Sequence, residues 1–469
     1  MADEPHHDAA EEFEREPVPE RARLGLKSYV GMFAGEHVAG TELMIGPLFL
    51  AAGVSAFDMI FGLLVGNLLA VLSWTFFTAP IATRCRLTLY YQLEKICGRK
   101  LVTTYNLANG VMFTVLAGAM MTVSATALGV YFKFAMPQLT DTLPPGLGWV
   151  VAVLVVGALF SVVAAYGYRF VARFANIAAP WMVLVFVAFG IIGLRQMGLK
   201  SVGDFWHIAS TVVWKGGNPM PGQIKFTFWH VMFFAWFCNM AWHIGMADLS
   251  VFRFAKKSWY GVTSAAGMYI GHFMAWIAAS TLYAVQLQQD PTNTAVLPGP
   301  LAYNACGIAG LLCVIAAGWT TANPTLYRAG LAFQSLNPKS SRFKVTLITG
   351  LIASVSAVFP IVTMRLLDFV AMWGMILMPM GAVIFVDFWV LPKLGLRSNF
   401  AEATGRSVNW AAGAAWIMSV AASTVLVQSG GLQIFFVSLP GWFVAAILYV
   451  VLSKVMQRNS PLAATQPAS

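Results

Sequence analysis

Charge is what this sequence has least of. Only 10% of its 469 residues are Asp, Glu, Lys or Arg, 58% are hydrophobic, and the mean hydropathy is +0.71. A soluble domain of this length cannot cover its surface with so little charge, which leaves a polytopic membrane protein. Period-2 alternation is missing too, so the apolar runs of about 20 residues are helices and not barrel strands. Cysteine is scarce: Cys85, Cys97, Cys238, Cys306 and Cys313 form no CxxC pair and have no companion histidines at ligand spacing, and they read as free thiols. There is no HExxH, no nucleophile elbow and no phosphate-cradling glycine loop, so nothing points to an enzyme or to a resident cofactor. The net charge of +10 gives no reason to expect a nucleic-acid partner, because the basic residues sit at helix ends, where lipid headgroups account for them.

What is present is a series of twelve apolar runs, starting near residues 28, 56, 101, 147, 171, 226, 258, 303, 343, 366, 407 and 432. Residues 1–25 carry eight acidic side chains and no apolar core, and read as a disordered cytoplasmic tail and not as a signal peptide. Residues 26–456 form the transmembrane domain, with 28–195 and 226–395 as two repeats and 407–456 as two peripheral helices; 457–469 is a second tail. Of the 29 Lys and Arg residues, only Lys133, Arg195, Lys200, Lys215, Lys225 and Arg365 fall in loops on the side opposite the termini. That asymmetry places both termini in the cytoplasm of a multi-pass protein of the inner or plasma membrane. A monomer is expected.

Three spans are interrupted. The eighth, around CVIAAGWTTANPTLYRAGLAFQSLN (313–337), sets Thr320, Thr321 and Asn323 in its middle, just before Pro324. Polar groups at that depth are costly. Ala317, Thr320 and Thr321 stand at i, i+3 and i+4, so one carbonyl and two hydroxyls converge on one helix face. Pro324 removes the donor to the Thr320 carbonyl and is expected to bend the helix there. Such an oxygen cage suits a small hard cation; the same hydroxyls also suit simple bonding to the carbonyl four residues back. Span 1 carries Gly35, Gly40 and Glu36-His37 at its midpoint, and span 6 carries Asn239, His243 and Gly245 at the matching place. Glu36 reads either as a substrate or proton group or as a carboxylate capping free N–H groups. Each of these two spans is the first of five. Broken helices at corresponding positions of two five-helix halves are the pattern of inverted-repeat transporters, with substrate and ion at the midplane.

The stretch GWTTANPTLYRAGLAFQSL resembles the W-T-T-N-x-x-x-L-Y-S-A-G-L run of the nucleobase–cation symporters, the family that includes cytosine and purine-cytosine permeases. Asp248-Leu249-Ser250 followed by Arg253-Phe254 is similar to that family's span 6 signature, and Pro379, Gly381 and Asp387-Phe388 are similar to its span 10 signature. The resemblance implies a LeuT-type fold, all-α with about 12 transmembrane helices in a 5+5 inverted repeat with helices 1 and 6 broken. It implies cation-coupled (Na⁺ or H⁺) symport of a nucleobase or related small nitrogenous heterocycle. Its sodium site falls on the Ala317 carbonyl, the Thr320 and Thr321 hydroxyls and the span 1 carbonyls of Gly35 and Val38. Its substrate pocket falls among Glu36, Trp236, Phe237, Cys238, Asn239 and Asn323, with span 3 near Thr114 to Met121 as another wall. The chain departs from the pattern in span 3, which lacks the family's tryptophan and glutamine, and at Arg328, where a small residue is usual. The alternative implied by the same fold is a symporter of an amino acid or other small solute.

Overall fold

The computed structural model describes residues 12–137, 141–361, 366–430 and 432–458. Among them, nine helices are long and apolar enough to cross a membrane: Ala56–Cys85, Arg99–Phe132, Leu147–Ala165, Tyr168–Gln196, Ser258–Gln289, Pro298–Leu336, Leu366–Val390, Trp410–Gln428 and Ser438–Arg458. These are spans 2 to 5, 7, 8 and 10 to 12. Span 9 is the shorter helix Arg342–Ala357. Spans 1 and 6 are the broken pair, Lys27–His37 with Glu42–Ala51 and Phe228–Phe237 with Met240–His243. The twelve spans expected from hydropathy are therefore all present in this multi-pass membrane protein, and breaking spans 1 and 6 is what removes them from the long-helix set.

The lipid-facing side follows from helical periodicity. In span 9, Ile348, Leu351, Ile352 and Val355 are exposed at i, i+3, i+4 and i+7, and span 12 exposes Ile447, Val451 and Val455 in the same way. In water such stripes would be a liability; against hydrocarbon they cost nothing. Charges go inward instead, where Arg253 and Arg328 are fully buried with carboxylate partners.

The packing obeys a permutation that exchanges span n with span n+5. Span 2 packs on span 6 as span 7 packs on span 1, and span 3 on span 4 as span 8 on span 9. Span 5 meets span 8 as span 10 meets span 3, while the 3–8 and 4–9 pairs map onto themselves. Spans 2 and 7 even share a wide π-helical stretch, at Trp74–Thr78 and Ala266–Phe273. An inverted repeat produces this swap of partners without any visible sequence identity between the halves.

The eighth span keeps helical angles through Pro324 and leaves them at Gly307 (φ 57°), a break the sequence did not announce. Glycine alone takes that conformation cheaply, so residues 298–306 form a separate short helix, tied to span 3 where Gly299 N–H donates to Thr126 Oγ1 at 2.9 Å. The acidic tail is not a solvated string over its described part. Glu12, Phe13, Val18 and Ala22 are buried, because the carboxylates meet the basic ring of the same face: Glu12 with Arg253, Glu14 with Arg342, and Glu20 with Arg86. The rest of that expected tail, residues 1–11, and most of the C-terminal one, residues 459–469, lie outside the described residues.

Candidate functional site at the broken helices

The first span breaks over residues 38–41. Val38 leaves the helix (ψ 61°), and its N–H makes the last helical bond, to Ala34. Among the described residues no backbone N–H donates to the carbonyls of Gly35, Glu36, His37 or Val38. Gly40 makes the close approach possible: a Cβ there would stand 2.5 Å from Val123 Cγ1 and 3.5 Å from the Val314 carbonyl. The break therefore presses its unpaired carbonyls towards spans 3 and 8.

Span 8 meets them with hydroxyls. Thr321 Oγ1 lies 2.9 Å from the Ala317 carbonyl and 2.9 Å from the Glu36 carbonyl, and Thr320 Oγ1 lies 3.2 Å from the Ala317 carbonyl. Four oxygens thus gather at one point with no acidic side chain among them. The span 1 member is Glu36, one residue on from the Gly35 chosen on sequence; Gly35 is packed against Ala175 of span 5. An uncharged set of carbonyls and hydroxyls is the donor chemistry of a hard monovalent cation. Each hydroxyl now spends its proton on a carbonyl, and turning it away would release a lone pair for an ion. Among the described residues no three His, Cys, Asp or Glu side chains converge as a metal site.

Beside this point lies a cavity of about 80 Å³, lined by Glu36, His37, Thr41, Glu42 and Ile45 of span 1, Leu116 and Met120 of span 3, Cys238, Asn239 and Trp242 of span 6, His272 of span 7, and Thr321 and Thr325 of span 8. Span 3 enters within the expected stretch. Thr41, Ile45, Leu366 and Leu367 also line a second cavity of about 620 Å³, which reaches Met220, Pro221 and Thr294 in the loops on the face away from the termini. The small cavity is the floor of a vestibule on that face.

The other face is shut. Glu12 Oε2 accepts from Tyr327 at 2.8 Å and from Arg253 at 3.3 Å, while its Oε1 accepts from the Tyr168 N–H at 2.7 Å. Arg253 also donates to the Phe13 carbonyl at 2.8 Å, and Arg15 pairs with Glu94 at 2.9 Å. Spans 2, 5, 6, 8 and 9 are so joined through one N-terminal segment.

Of the pocket residues expected from sequence, Glu36, Cys238 and Asn239 line the cavity, and Trp236, Phe237 and Asn323 do not. Trp236 faces span 2, where its indole donates to Ser73 at 3.1 Å. Phe237 packs with Phe435. Asn323 is fully buried in span 8 away from the cavity. Glu36 lines the cavity but its carboxylate is engaged: Arg328 Nη1 donates to it at 2.6 Å, and Arg328 Nη2 reaches Asp248 at 2.5 Å. Asp248 in turn accepts from the Trp74 indole at 2.7 Å. Arg328, which looked like a departure, is the counterion that lets a carboxylate sit at the midplane.

Glu42 and His272 are the lining groups that sequence reading passed over. Glu42 is buried, accepts from the Trp276 indole, and has His272 Nε2 at 3.5 Å from its Oε1. Asn239 links His272 (3.3 Å) to His37 (3.3 Å), and His37 reaches the Phe33 carbonyl at 2.8 Å. The signal was a second acidic residue in the opening apolar run; it was hidden because Glu36 already explained the break.

No family profile and no curated protein matches this sequence. Solved structures do match it. Mhp1, a nucleobase-cation-symport-1 family transporter, in a closed conformation with bromovinylhydantoin bound, superposes with a TM-score of 0.71 over 96% of each chain at 16% identity. The fold is of the LeuT type. A Na⁺-coupled sialic acid symporter in a substrate-bound outward-open state gives 0.65 at 17% identity, covering 93% of this chain and 90% of its own. A manganese transporter mutant from Eremococcus coleocola gives 0.55 at 12% identity, covering 91% and 95%. The LeuT-type fold thus spans the whole membrane domain, and the site described above lies where its two broken helices meet.

Proposed function

We propose that this chain is a secondary active transporter that couples a cation, Na⁺, to the symport of a nucleobase or a related small nitrogenous heterocycle across the inner or plasma membrane. The observation that carries the proposal is the Thr321 hydroxyl, which spans the gap between the Glu36 carbonyl of the broken first helix and the Ala317 carbonyl of span 8. Ala317, Thr320, Thr321 and the Glu36 carbonyl, with Gly35 or Val38 as neighbours in the break, would hold the ion. The ion would supply positive charge that pins the loose carbonyls of span 1 to the 3–8 scaffold and so preforms the adjacent cavity. Solute and ion then raise each other's affinity, as linkage requires. The Glu36 side chain is engaged by Arg328 at 2.6 Å, which leaves its backbone carbonyl as the group it turns to the ion site.

With the termini in the cytoplasm, the vestibule opens outward and the Glu12 latch closes the inner side. Transport follows when spans 1, 2, 6 and 7 rock against 3, 4, 8 and 9, closing the vestibule over Ile45 and Leu366 and releasing the latch. The heterocycle assignment draws on the likeness to Mhp1, on the motif resemblance and on the aromatic and amide groups of the cavity, Trp242 and Asn239.

The test is a melt of the purified protein with nucleobases, hydantoins and amino acids, each in Na⁺ and in K⁺. A ligand at a hundred times its dissociation constant adds about 2.7 kcal/mol to the folded state. A heterocycle that stabilises only in Na⁺ supports the proposal; stabilisation by amino acids alone refutes the solute class, and indifference to Na⁺ refutes the coupling ion.

A further inference from the structure

The carboxylate of Glu12 sits in a cradle built entirely by the helical body. The Tyr168 N–H, at the start of the long helix of span 5, donates to its Oε1 at 2.7 Å. The Tyr327 hydroxyl of span 8 and Nη2 of Arg253, at the end of span 6, donate to its Oε2 at 2.8 and 3.3 Å. Gly167 makes the room: at a φ of 99°, a Cβ there would stand 2.1 Å from Glu12 Oε1 and 3.1 Å from Arg342 Nη2. A helix N-terminus, a hydroxyl and two guanidinium groups gathered about one place are the donor set of an oxyanion site.

The cradle offers more than a carboxylate uses. Arg342, 4% exposed, donates from Nη2 to the Ala165 carbonyl at 2.9 Å and has Glu14 at 3.7 Å from its Nε, but its Nη1 has no acceptor among the described residues. An occupant with a third oxygen can take that donor, and a carboxylate has only two. The cradle also outlasts its occupant. When the N-terminal segment leaves, Arg253 loses the Phe13 carbonyl from Nη1 and the Glu12 carboxylate from Nη2, and a guanidinium cannot shed its proton. Arg169, Lys256 and Lys344, each within three residues of a cradle residue, are exposed and draw anions towards it.

We propose that this cradle is a regulatory site for a phosphate-type oxyanion, free phosphate or a phosphate monoester headgroup of the adjacent leaflet, and that Glu12 is its tethered competitor. An anion in the cradle excludes Glu12 and so holds the latch released on the terminal face. The site stands on the fold and on the latch, apart from the identity of solute and coupling ion. A side chain tethered this close competes at an effective concentration of roughly millimolar, which sets the range for the ligand.

The probes are inorganic phosphate, acetate and phosphatidic acid. The full-length protein in detergent is melted in chloride and in millimolar phosphate or acetate at equal ionic strength, as the wild type and as Glu12→Ala; the wild-type shift carries any general salting effect. Glu12→Ala is expected to melt lower in chloride and to be rescued by phosphate, less by acetate, with half-maximal phosphate about tenfold below that of the wild type. Adding Arg342→Gln should abolish the rescue. Equal shifts in the wild type and Glu12→Ala, or none in either, overturn the site, and rescue by acetate as strong as by phosphate refutes the phosphate class. A second measurement leaves Glu12 in place. In reconstituted protein whose only cysteine is Cys238, labelling by an impermeant thiosulfonate from the vestibule side should slow several-fold when phosphate is present on the terminal face. Slowing by phosphatidic acid alone, in phosphate-free buffer, upholds the site and assigns it to the lipid headgroup. Rescue in the melts with labelling unmoved by either probe refutes control of the gate. Both readouts are taken without solute, so their failure is distinct from failure of the symport proposal.

Discussion

Arg328 ties together two carboxylates from different helices, Glu36 and Asp248, at distances of 2.6 and 2.5 Å and with no solvent exposure of its own. A buried triad of this kind is expensive to dismantle from one side. Arg328→Met leaves two unpaired buried carboxylates and is expected to cost about 3–5 kcal/mol. Adding Glu36→Gln and Asp248→Asn to the same protein should recover most of that loss, and detergent melts of the single and triple variants measure both. If the single variant melts like the wild type, the triad is not what anchors span 1 to spans 6 and 8. At this scale the sequence was informative where a polar residue stood alone in an apolar run. Thr320, Thr321 and Glu36 were legible because nothing nearby in sequence explained them. Trp236 was misjudged because its helix turns the indole towards Ser73 of span 2, a partner far away in the chain. Glu42 and His272 lie on different spans and meet only once the helices pack.

The elements depend on glycines where backbone meets backbone. Span 10 crosses the loose end of span 6 at Gly381, where an added Cβ would fall 2.1 Å from the Ile244 carbonyl and 2.7 Å from Gly245 Cα. Neither neighbour is a flexible side-chain tip, so the helices must separate. Gly381→Ala is expected to destabilise by at least about 2 kcal/mol, with Gly374→Ala, whose Cβ would meet nothing nearer than 3.7 Å, as the neutral control on the same helix. Equal melts for the two would show that span 10 does not bear on the span 6 break. Helix number and order were legible here because length and hydropathy set them, and the breaks in spans 1 and 6 because glycine and charge coincided. The Gly307 break was not, since a lone glycine in an apolar run gives no sign of its φ.

For the molecule as a whole, one face is open and the other is latched by Glu12, Arg253 and Tyr327. Removing the latch should shift the population towards opening on the terminal face. In a protein whose only cysteine is Cys238, on the cavity floor, a small impermeant thiosulfonate added from the vestibule side should label that thiol, and Glu12→Gln should slow the labelling several-fold. Unchanged labelling would mean that the N-terminal segment is packing and not a gate. This segment was the least legible part of the chain. Its acidity reads as solvation until the basic ring that receives it is assembled from Arg86, Arg253 and Arg342, three distant stretches.

Ion coupling rests on the oxygen cluster between spans 1 and 8. The most direct measurement is uptake into proteoliposomes of a solute that stabilises the protein in the melts, driven by an inward Na⁺ gradient, in the wild type and in Thr321→Ala. Na⁺-driven accumulation is expected in the wild type and, in Thr321→Ala, loss of at least tenfold in Na⁺-driven uptake or in apparent Na⁺ affinity, with the protein still folded. Full Na⁺-driven accumulation by Thr321→Ala, at unchanged Na⁺ affinity, would contradict it.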